Sequence, residues 1–249
     1  MTSNLYAPVE REKKIPDIKA FMQTSFLDWR SMVSAVVFLG RCNFRCPYCH
    51  NKDLVLWPEK LSNISFSEIK TCISSYEDWI DGVVISGGEP CISPRLPNLI
   101  REFRHMGLKI KLDTNGSFPD VLEQLIRDDQ LDYVAMDFKA PLNEFSYRRC
   151  SGVWTDMKAI GKSLDLLLEG NVDYEFRVTI CPGLLEVEDI KFMGERIQGA
   201  KRFVLQSFVP QNTLDPSMNE YPPCTRETME DMKRAISPYV ENCFAISAF

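Results

Sequence analysis

Three cysteines in one short segment are the residues of this chain best suited to chemistry. Cys42, Cys46 and Cys49 follow an apolar run in a CxxxCxxC pattern, and a short loop can turn such thiolates toward one soft metal centre. A structural zinc ion normally takes four protein ligands, and His50, directly after Cys49, is awkwardly placed to be the fourth. A 4Fe–4S cluster held by three cysteines leaves one iron open for a substrate or cofactor. The pattern therefore favours an iron–sulfur cluster.

Three further polar segments each follow a later apolar run. They are Ser86-Gly87-Gly88-Glu89-Pro90, Asp113-Thr114-Asn115-Gly116 and Asp137-Phe138-Lys139. Paired glycines let a ligand approach the backbone, and Glu89 can accept hydrogen bonds from an ammonium group. Taken singly, each segment has a simpler explanation: a turn at a strand end, an Asx turn that enters a helix, and a surface ion pair.

Arg177 lies inside the apolar run Phe176–Ile180. A buried guanidinium needs a partner of opposite charge, because an unpaired charge away from water is costly. The carboxylate of a ligand is one candidate for that partner.

The elements that must position these residues alternate along the chain. Short apolar runs predict six strands: Ser34–Gly40, Gly82–Ser86, Leu108–Leu112, Tyr133–Phe138, Tyr174–Ile180 and Phe203–Phe208. Amphipathic helical patterns follow them, two of which begin at a Ser65–Glu68 capping box and at Thr225. Six strand–helix units predict an α/β fold with a parallel sheet, either open or curled into a barrel. The carboxyl ends of parallel strands share one face, so the polar segments should meet there.

The composition argues against nucleic acid and membranes as partners. The net charge of −6 gives no general attraction to nucleic acid, and no apolar run is long enough to predict a membrane span. The polar start, Met1–Pro16, lacks the apolar core of a signal peptide, so a cytoplasmic location is expected.

The nine cysteines do not form a disulfide framework. The scattered ones are expected to be small buried apolar side chains: Cys72, Cys91, Cys150, Cys181, Cys224 and Cys243. The sequence shows no linker that would divide the chain, so residues 1–249 are expected to form one domain. No secondary structure is predicted for Pro210–Cys224.

CxxxCxxC followed by Gly-Gly-Glu-Pro resembles the signature of the radical S-adenosylmethionine (SAM) superfamily. Cys49-His50-Asn51, Asp113–Gly116 and Asp137–Lys139 are similar to the activases of glycyl radical enzymes. Within that group, Thr24–Trp29, Val83–Pro90 and Asp132–Asp137 resemble the activating proteins of anaerobic ribonucleoside-triphosphate reductases. The similarity covers about residues 17 to 215.

The resemblance implies a partial TIM-like (β/α)6 barrel and a role for each matching residue. Cys42, Cys46 and Cys49 would hold the 4Fe–4S cluster, and SAM would chelate the open iron. The residues implied to contact SAM are Tyr48 and His50 at the adenosyl part, Gly87, Gly88 and Glu89 at the ammonium, Thr114 and Asn115 nearby, and Lys139 and Arg177 at the carboxylate. Asp113 and Asp137 match positions that help to hold a monovalent cation. A ribose-contacting histidine of related activases has no counterpart in Gln206-Ser207-Phe208-Val209.

The function implied is the reductive cleavage of SAM to a 5′-deoxyadenosyl radical, which removes a hydrogen atom from a glycine of a partner enzyme. The expected partners are an anaerobic ribonucleotide reductase and a reductant of the flavodoxin or ferredoxin type. Six strand–helix units, fewer than a closed barrel has, could leave a side gap for a glycine loop. The alternatives are an activase for a pyruvate formate-lyase-like enzyme, a small-molecule enzyme of the 7-carboxy-7-deazaguanine synthase type, and an electron carrier. The Gly-Gly-Glu-Pro and Asp-Thr-Asn-Gly segments argue against a carrier, which needs no SAM pocket.

Overall fold

The computed structural model describes residues 15–76 and 79–246, so most of Met1–Pro16 lies outside the described residues. The chain forms two compact units. Of the described residues, the first unit comprises 15–43, 53–76, 79–113 and 125–133, and the second comprises 44–52, 114–124 and 134–246. The expectation of one domain over 1–249 stays a prediction.

The first unit is built on strands β1 (Ile18–Ser25), β2 (Ser34–Leu39), β3 (Gly82–Gly87) and β4 (Lys109–Thr114). β1 is antiparallel to β2, whereas β2, β3 and β4 are parallel neighbours in chain order. Its helices are α1 (Lys52–Leu56), α2 (Phe66–Ser74) and α3 (Leu96–Arg104), with 3-10 turns at Pro58–Lys60 and Pro90–Ile92. Three of these strands and two of these helices match the predicted pattern.

The second unit contains most of helix α4 (Pro119–Arg127) and of strand β5 (Tyr133–Asp137). They are followed by helices α5 (Glu144–Ser151) and α6 (Met157–Leu168), strand β6 (Asp173–Ile180), helix α7 (Val187–Arg196), strand β7 (Phe203–Ser207), helix α8 (Arg226–Ile236) and strand β8 (Cys243–Ile246). β6, β7 and β8 are parallel neighbours. The segment 210–224, to which no structure was assigned, contains a 3-10 helix at Pro216–Glu220. The α/β prediction is confirmed, and β1, α1, α5 and β8 are additions to it.

Local chemistry explains where the predicted helices begin. The Ser65 hydroxyl accepts from the Glu68 amide while the Glu68 carboxylate accepts from the Ser65 amide, which is the predicted capping box. Thr225 accepts from the Thr228 amide at the start of α8. Each cap satisfies backbone amides that the first helical turn leaves without an intrahelical partner.

The buried residues of the strands form the core of each unit. In the first unit, Trp29, Val36, Val84 and Tyr133 pack together. The ammonium of the buried Lys111 donates to the Asp28 carbonyl oxygen at 2.5 Å and lies 5.3 Å from the centre of the Tyr133 ring. Hydrogen bonding and the face of the aromatic ring compensate the cost of burying this charge.

No helix of the described part of the chain combines the length and apolarity needed to cross a bilayer.

Candidate active site

The cysteine loop leaves β2 and turns tightly between its last two cysteines. The amide of Cys49 donates to the carbonyl oxygen of Cys46 at 3.0 Å. Cys46 is buried, and Cys42 and Cys49 are partly exposed. Cys46 and Cys49 belong to the second unit, whereas Cys42 lies in the first.

Helix α5 supports the loop from the second unit. The Arg45 amide donates to the Ser151 carbonyl oxygen at 2.8 Å. The rings of Phe44 and Tyr147 pack edge to face, with their centres 6.4 Å apart. Gly152 ends the helix at a φ of 73°, and a Cβ on it would lie 2.0 Å from the Arg45 carbonyl oxygen. This position therefore requires glycine both for its backbone angle and for the close approach of the cysteine loop.

The segment after β7 holds the same loop through other contacts. The His50 Nε2 is 2.8 Å from the Val209 carbonyl oxygen, and the imidazole stacks on Phe208 with an interplanar angle of 12°. The Asp215 amide donates to the Pro47 carbonyl oxygen at 2.9 Å. The buried Thr213 hydroxyl bonds within the segment to the Asp215 carbonyl oxygen and to the side chain of Asn219. The segment without predicted structure is thus an ordered support for the cysteine loop.

Asp137 is held between two cations at the end of β5. Its Oδ2 is 3.3 Å from the Lys139 Nζ and its Oδ1 accepts from the Arg177 Nε at 3.0 Å. The Lys139 and Arg177 side chains are only 12% and 14% exposed, and that of Asp137 is 34% exposed. Burial alone would raise the pKa of Asp137, but Arg177 and then Lys139 outweigh it and hold the pKa below its ordinary value. The pair is therefore not an ordinary surface ion pair, and Arg177 has an internal partner in addition to any ligand.

Lys139 carries the positive charge that faces the cysteine loop. Burial alone would lower the pKa of Lys139, but Cys46, Asp137 and the tyrosines Tyr48 and Tyr147 raise it well above its ordinary value. Burial raises the pKa of the Cys46 thiol to about 11, while Lys139 opposes that rise. A buried ammonium beside Cys46 is suited to balance the negative charge of a metal-bound thiolate.

The paired glycines of the first unit contact the chain's own backbone. Gly87 has a φ of 121°, and a Cβ on Gly88 would lie 1.9 Å from the Arg41 carbonyl oxygen. The Glu89 amide donates to that same oxygen at 2.8 Å. The Glu89 side chain is buried, and its Oε1 accepts from the Cys91 amide at 3.0 Å. Because Gly87 and Gly88 have no side chains, the backbone at the start of the cysteine loop can pack directly against them. Their contact with SAM stays a prediction.

The ends of β4 and of its loop are polar and mostly buried. In the first unit, the Asp113 Oδ2 accepts from the Ser86 hydroxyl at 3.1 Å and the Asp113 Oδ1 is 3.9 Å from the Lys111 ammonium. In the second unit, the Asn115 Oδ1 accepts from the Ser117 amide at 3.0 Å, which is the Asx turn that the sequence allowed. The Thr114 hydroxyl accepts from the Gly116 amide at 3.2 Å.

The donor set fits an iron–sulfur cluster better than a single metal ion. Among residues 15–76 and 79–246, no group of three or more His, Cys, Asp or Glu side chains could hold one metal ion. In a 4Fe–4S cube each thiolate binds a different iron, so its ligands do not converge on one point. His50, the fourth zinc ligand considered from the sequence, is turned to Val209 instead.

Comparison with known proteins decides the family. The sequence model of the Radical SAM superfamily matches residues 36–194. The chain belongs to the radical SAM superfamily. Radical SAM membership implies that the protein is an enzyme with a 4Fe–4S cluster and SAM as its cofactors, as the resemblance implied.

Two radical SAM relatives and one solved structure show how far the likeness reaches. A Methanocaldococcus jannaschii protein, named by inference as a glycyl-radical enzyme activating enzyme, is 30% identical over 90% of this chain and 93% of its own length. The 7-carboxy-7-deazaguanine synthase of Neisseria meningitidis is 32% identical over 54% of this chain and 56% of its own. The crystal structure of Streptococcus suis SuiB bound to SAM is 16% identical, with a TM-score of 0.60 over 84% of this chain and 48% of SuiB. At that identity, SuiB supports the fold alone.

The second unit brings together several of the predicted radical SAM site residues. Lys139 interacts electrostatically with Cys46, Tyr48 and Asp137. Arg177 forms an ion pair with the same Asp137. Tyr147 and Gly152 were not predicted to belong to the site, because they lie on or next to helix α5, which the apolar pattern of the sequence does not indicate. The clearest signal for that helix is Asn143, whose side chain caps it by accepting from the Ser146 amide at 2.8 Å.

Proposed function

We propose that this radical SAM protein is an activase that places a glycyl radical on a partner enzyme, and that the partner is an anaerobic ribonucleoside-triphosphate reductase. The observation that carries the proposal is the match to the Methanocaldococcus jannaschii protein named for that activity, which extends over 90% of this chain. The choice of a ribonucleotide reductase rests on the sequence resemblance at Thr24–Trp29, Val83–Pro90 and Asp132–Asp137.

Cys42, Cys46 and Cys49 would hold the cluster, because they alone combine the required spacing with a loop fixed on both sides by hydrogen bonds. When bound, the reduced cluster and SAM supply a 5′-deoxyadenosyl radical, the group that abstracts the hydrogen atom. The burial of Cys46 and Tyr48 limits the access of water to this part of the loop.

The polar residues around the loop would bind SAM. In this proposal Lys139 and Arg177 attract its carboxylate, with Asp137 holding both cations in place. Glu89, Gly87 and Gly88 would meet its ammonium. Tyr48, His50, Thr114 and Asn115 would line the rest of the site. A monovalent cation near Asp113 and Asp137 completes the proposed set.

Hydrogen-atom transfer requires no acidic or basic side chain from this protein. Their task is to exclude water and to hold the partner's glycine close to the C5′ carbon of SAM. The partner's glycine loop must leave its own protein to reach that carbon, so binding should be coupled to opening of the partner. An electron-donating protein of the flavodoxin or ferredoxin type is the expected reductant.

A small heterocyclic substrate is the second candidate. The 7-carboxy-7-deazaguanine synthase of Neisseria meningitidis matches this chain over 54% of its length, which favours that alternative. This overlap is shorter than that of the relative named as an activating enzyme, which matches over nearly the full length of both chains and gives the activase proposal more support.

The deciding experiment mixes the anaerobically reconstituted protein with dithionite, SAM and an anaerobic ribonucleotide reductase, and records the EPR spectrum. A glycyl-type doublet on the reductase is the expected result, and the Cys46→Ala variant is the control that should give none. If SAM is cleaved without a doublet in any glycyl radical enzyme tried, the substrate is a small molecule instead.

A further inference from the structure

The hydroxyl of Tyr147 is a buried donor without an acceptor. The side chain is fully buried on helix α5, and no described residue forms a hydrogen bond with its oxygen. Burial raises the pKa of the phenol, while the ammonium and the amide of Lys139 oppose that rise. The phenol therefore keeps its proton, and because an amide can only donate, Lys139 offers that proton no acceptor.

A phenylalanine at this position would avoid the cost of the unpaired hydroxyl. Burying a hydroxyl without a hydrogen bond is unfavourable, whereas an apolar group of the same shape carries no such penalty. The edge-to-face contact between the rings of Phe44 and Tyr147 does not need the hydroxyl. The tyrosine is explained if its hydroxyl gains an acceptor when the site is loaded.

Three successive residues of the cysteine loop interact with α5. The Phe44 ring packs on the Tyr147 ring, with the ring centres 6.4 Å apart. The Arg45 amide donates to the Ser151 carbonyl oxygen at 2.8 Å. Cys46, which is itself buried, interacts electrostatically with Tyr147. The helix thus holds the phenol near the middle one of the three predicted cluster ligands.

Cys46 is the neighbour of Tyr147 that becomes a strong acceptor. The other two charged groups that act on the phenol are Lys139 and Asp137. The Lys139 ammonium has only donors, and both carboxylate oxygens of Asp137 already accept from Lys139 and Arg177. When Cys46 binds iron it is a thiolate, and a negatively charged sulfur accepts hydrogen bonds better than a thiol does.

We propose that the Tyr147 hydroxyl donates a hydrogen bond to the Cys46 sulfur of the assembled cluster and thereby raises the reduction potential of that cluster. Such a bond stabilises the reduced, more negatively charged state, and hydrogen bonds to the sulfurs are among the factors that set the potential of iron–sulfur clusters. Tyr147 acts through Cys46 and is a positioning residue. The proposal rests on the cluster part of the proposed function and is independent of which substrate the radical attacks.

A redox titration of the reconstituted protein without SAM, followed by the EPR signal of the reduced cluster, measures the effect. Tyr147→Phe should shift the one-electron equilibrium about tenfold toward the oxidised cluster, which lowers the midpoint potential by about 59 mV. Tyr174→Phe is the matched control. Tyr174 is also buried in the second unit, but its hydroxyl already accepts from the Lys201 amide at 3.3 Å. Its loss should leave the potential unchanged.

Electron–nuclear double resonance gives a second readout of the same hydrogen bond. Reconstitution in D₂O places a deuteron on exchangeable hydroxyls. The reduced parent protein should then show a deuteron strongly coupled to the cluster, which Tyr147→Phe should lose and Tyr174→Phe should keep. The iron content and the SAM affinity of Tyr147→Phe should match those of the parent protein.

The apoprotein tests the premise that the hydroxyl has no partner before the cluster is present. Tyr147→Phe apoprotein should unfold at the same urea concentration as the parent apoprotein or at a higher one, because no hydrogen bond is removed. A lower midpoint, or a variant that no longer holds iron, would mean that the hydroxyl already supports the fold, and either result overturns the proposal.

Three further outcomes overturn it. They are an unchanged potential in Tyr147→Phe, an equal shift in Tyr174→Phe, and a coupled deuteron that persists without the Tyr147 hydroxyl. An unchanged potential together with weaker SAM binding would assign the hydroxyl to SAM instead. A failure of the proposed activase function would look different, because the shift in potential would remain while no glycyl radical formed on any partner.

Discussion

Gly152→Ala should disturb the cysteine loop more than any comparable glycine substitution in the second unit. The backbone at Gly152 has a φ of 73°, which costs a residue with a side chain about 1–2 kcal/mol. The new Cβ would lie 2.0 Å from the Arg45 carbonyl oxygen, whereas ordinary contact begins at 3.4 Å. Because that atom belongs to the backbone and cannot rotate away, overpacking adds about 1–3 kcal/mol. We expect a total loss of about 2–5 kcal/mol in the free energy of unfolding.

Gly199→Ala is the matched control. Gly199 has a φ of 84° in the same unit, but a Cβ there would meet no atom within 4 Å. Its substitution should therefore cost only the backbone strain of about 1–2 kcal/mol. The difference between the two variants isolates the contact of Gly152 with the cysteine loop.

Urea unfolding of the two variants and the parent apoprotein, followed by circular dichroism, measures this difference. Iron content and the EPR spectrum of the reduced, reconstituted proteins show whether the loop still holds its cluster. Gly152→Ala should lose iron or show an altered cluster signal, and Gly199→Ala should do neither. Equal unfolding free energies and identical cluster signals would refute the role assigned to Gly152.

Three further results are expected. Asp137→Ala and Lys139→Ala should both weaken SAM binding in calorimetry while the cluster absorbance stays largely intact, and unchanged affinity in both would leave the pair without a role in SAM binding. Cys46→Ala should lose the cluster of about four irons per chain, whereas Cys181→Ala should retain it, since Cys181 is expected only to fill space in the interior; iron analysis distinguishes them. The pKa of Asp137 is lowered on folding, so its stabilising contribution is present above its ordinary value of 3.8 and is lost as the pH falls through the lower folded value. The difference in unfolding free energy between the parent protein and Asp137→Asn should therefore narrow in acid, and a constant gap from neutral pH down to acid would contradict this linkage.

The sequence predicted those elements whose apolar pattern is regular. All six expected strands are present, with ends that differ by one or two residues, because buried parallel strands such as Ser34–Leu39 are almost continuously apolar. The helix from Phe66 was predictable because its capping box is a local interaction between Ser65 and Glu68.

The missed elements lack such local signals. β1 has an irregular burial pattern, and its register against β2 shifts twice. α5 is a single short helix in which Glu144, Arg148 and Arg149 dilute the apolar pattern. Tertiary contacts decide its position, since Tyr147 and Ser151 pack on the cysteine loop, and no periodicity along the chain reveals such contacts.

The site shows the same division between local and distant effects. The cysteine spacing and the Asx turn at Asn115 could be read directly from the residues. The partner of Arg177 could not, because Asp137 lies 40 residues away and only the neighbouring positions of β5 and β6 bring the two together. The order of the segment around Thr213 also depends on distant contacts, including the bond from Asp215 to Pro47.

The transfer of deuterium shows whether the protein removes a hydrogen atom from a glycine of its partner. A glycyl radical partner labelled with glycine deuterated at the α-carbon is incubated with the protein, SAM and a reductant, and the 5′-deoxyadenosine formed is examined by mass spectrometry. We expect one deuterium atom in the 5′-deoxyadenosine and an EPR doublet on the partner. Cleavage of SAM that yields only unlabelled 5′-deoxyadenosine, with every glycyl radical partner tried, would contradict it.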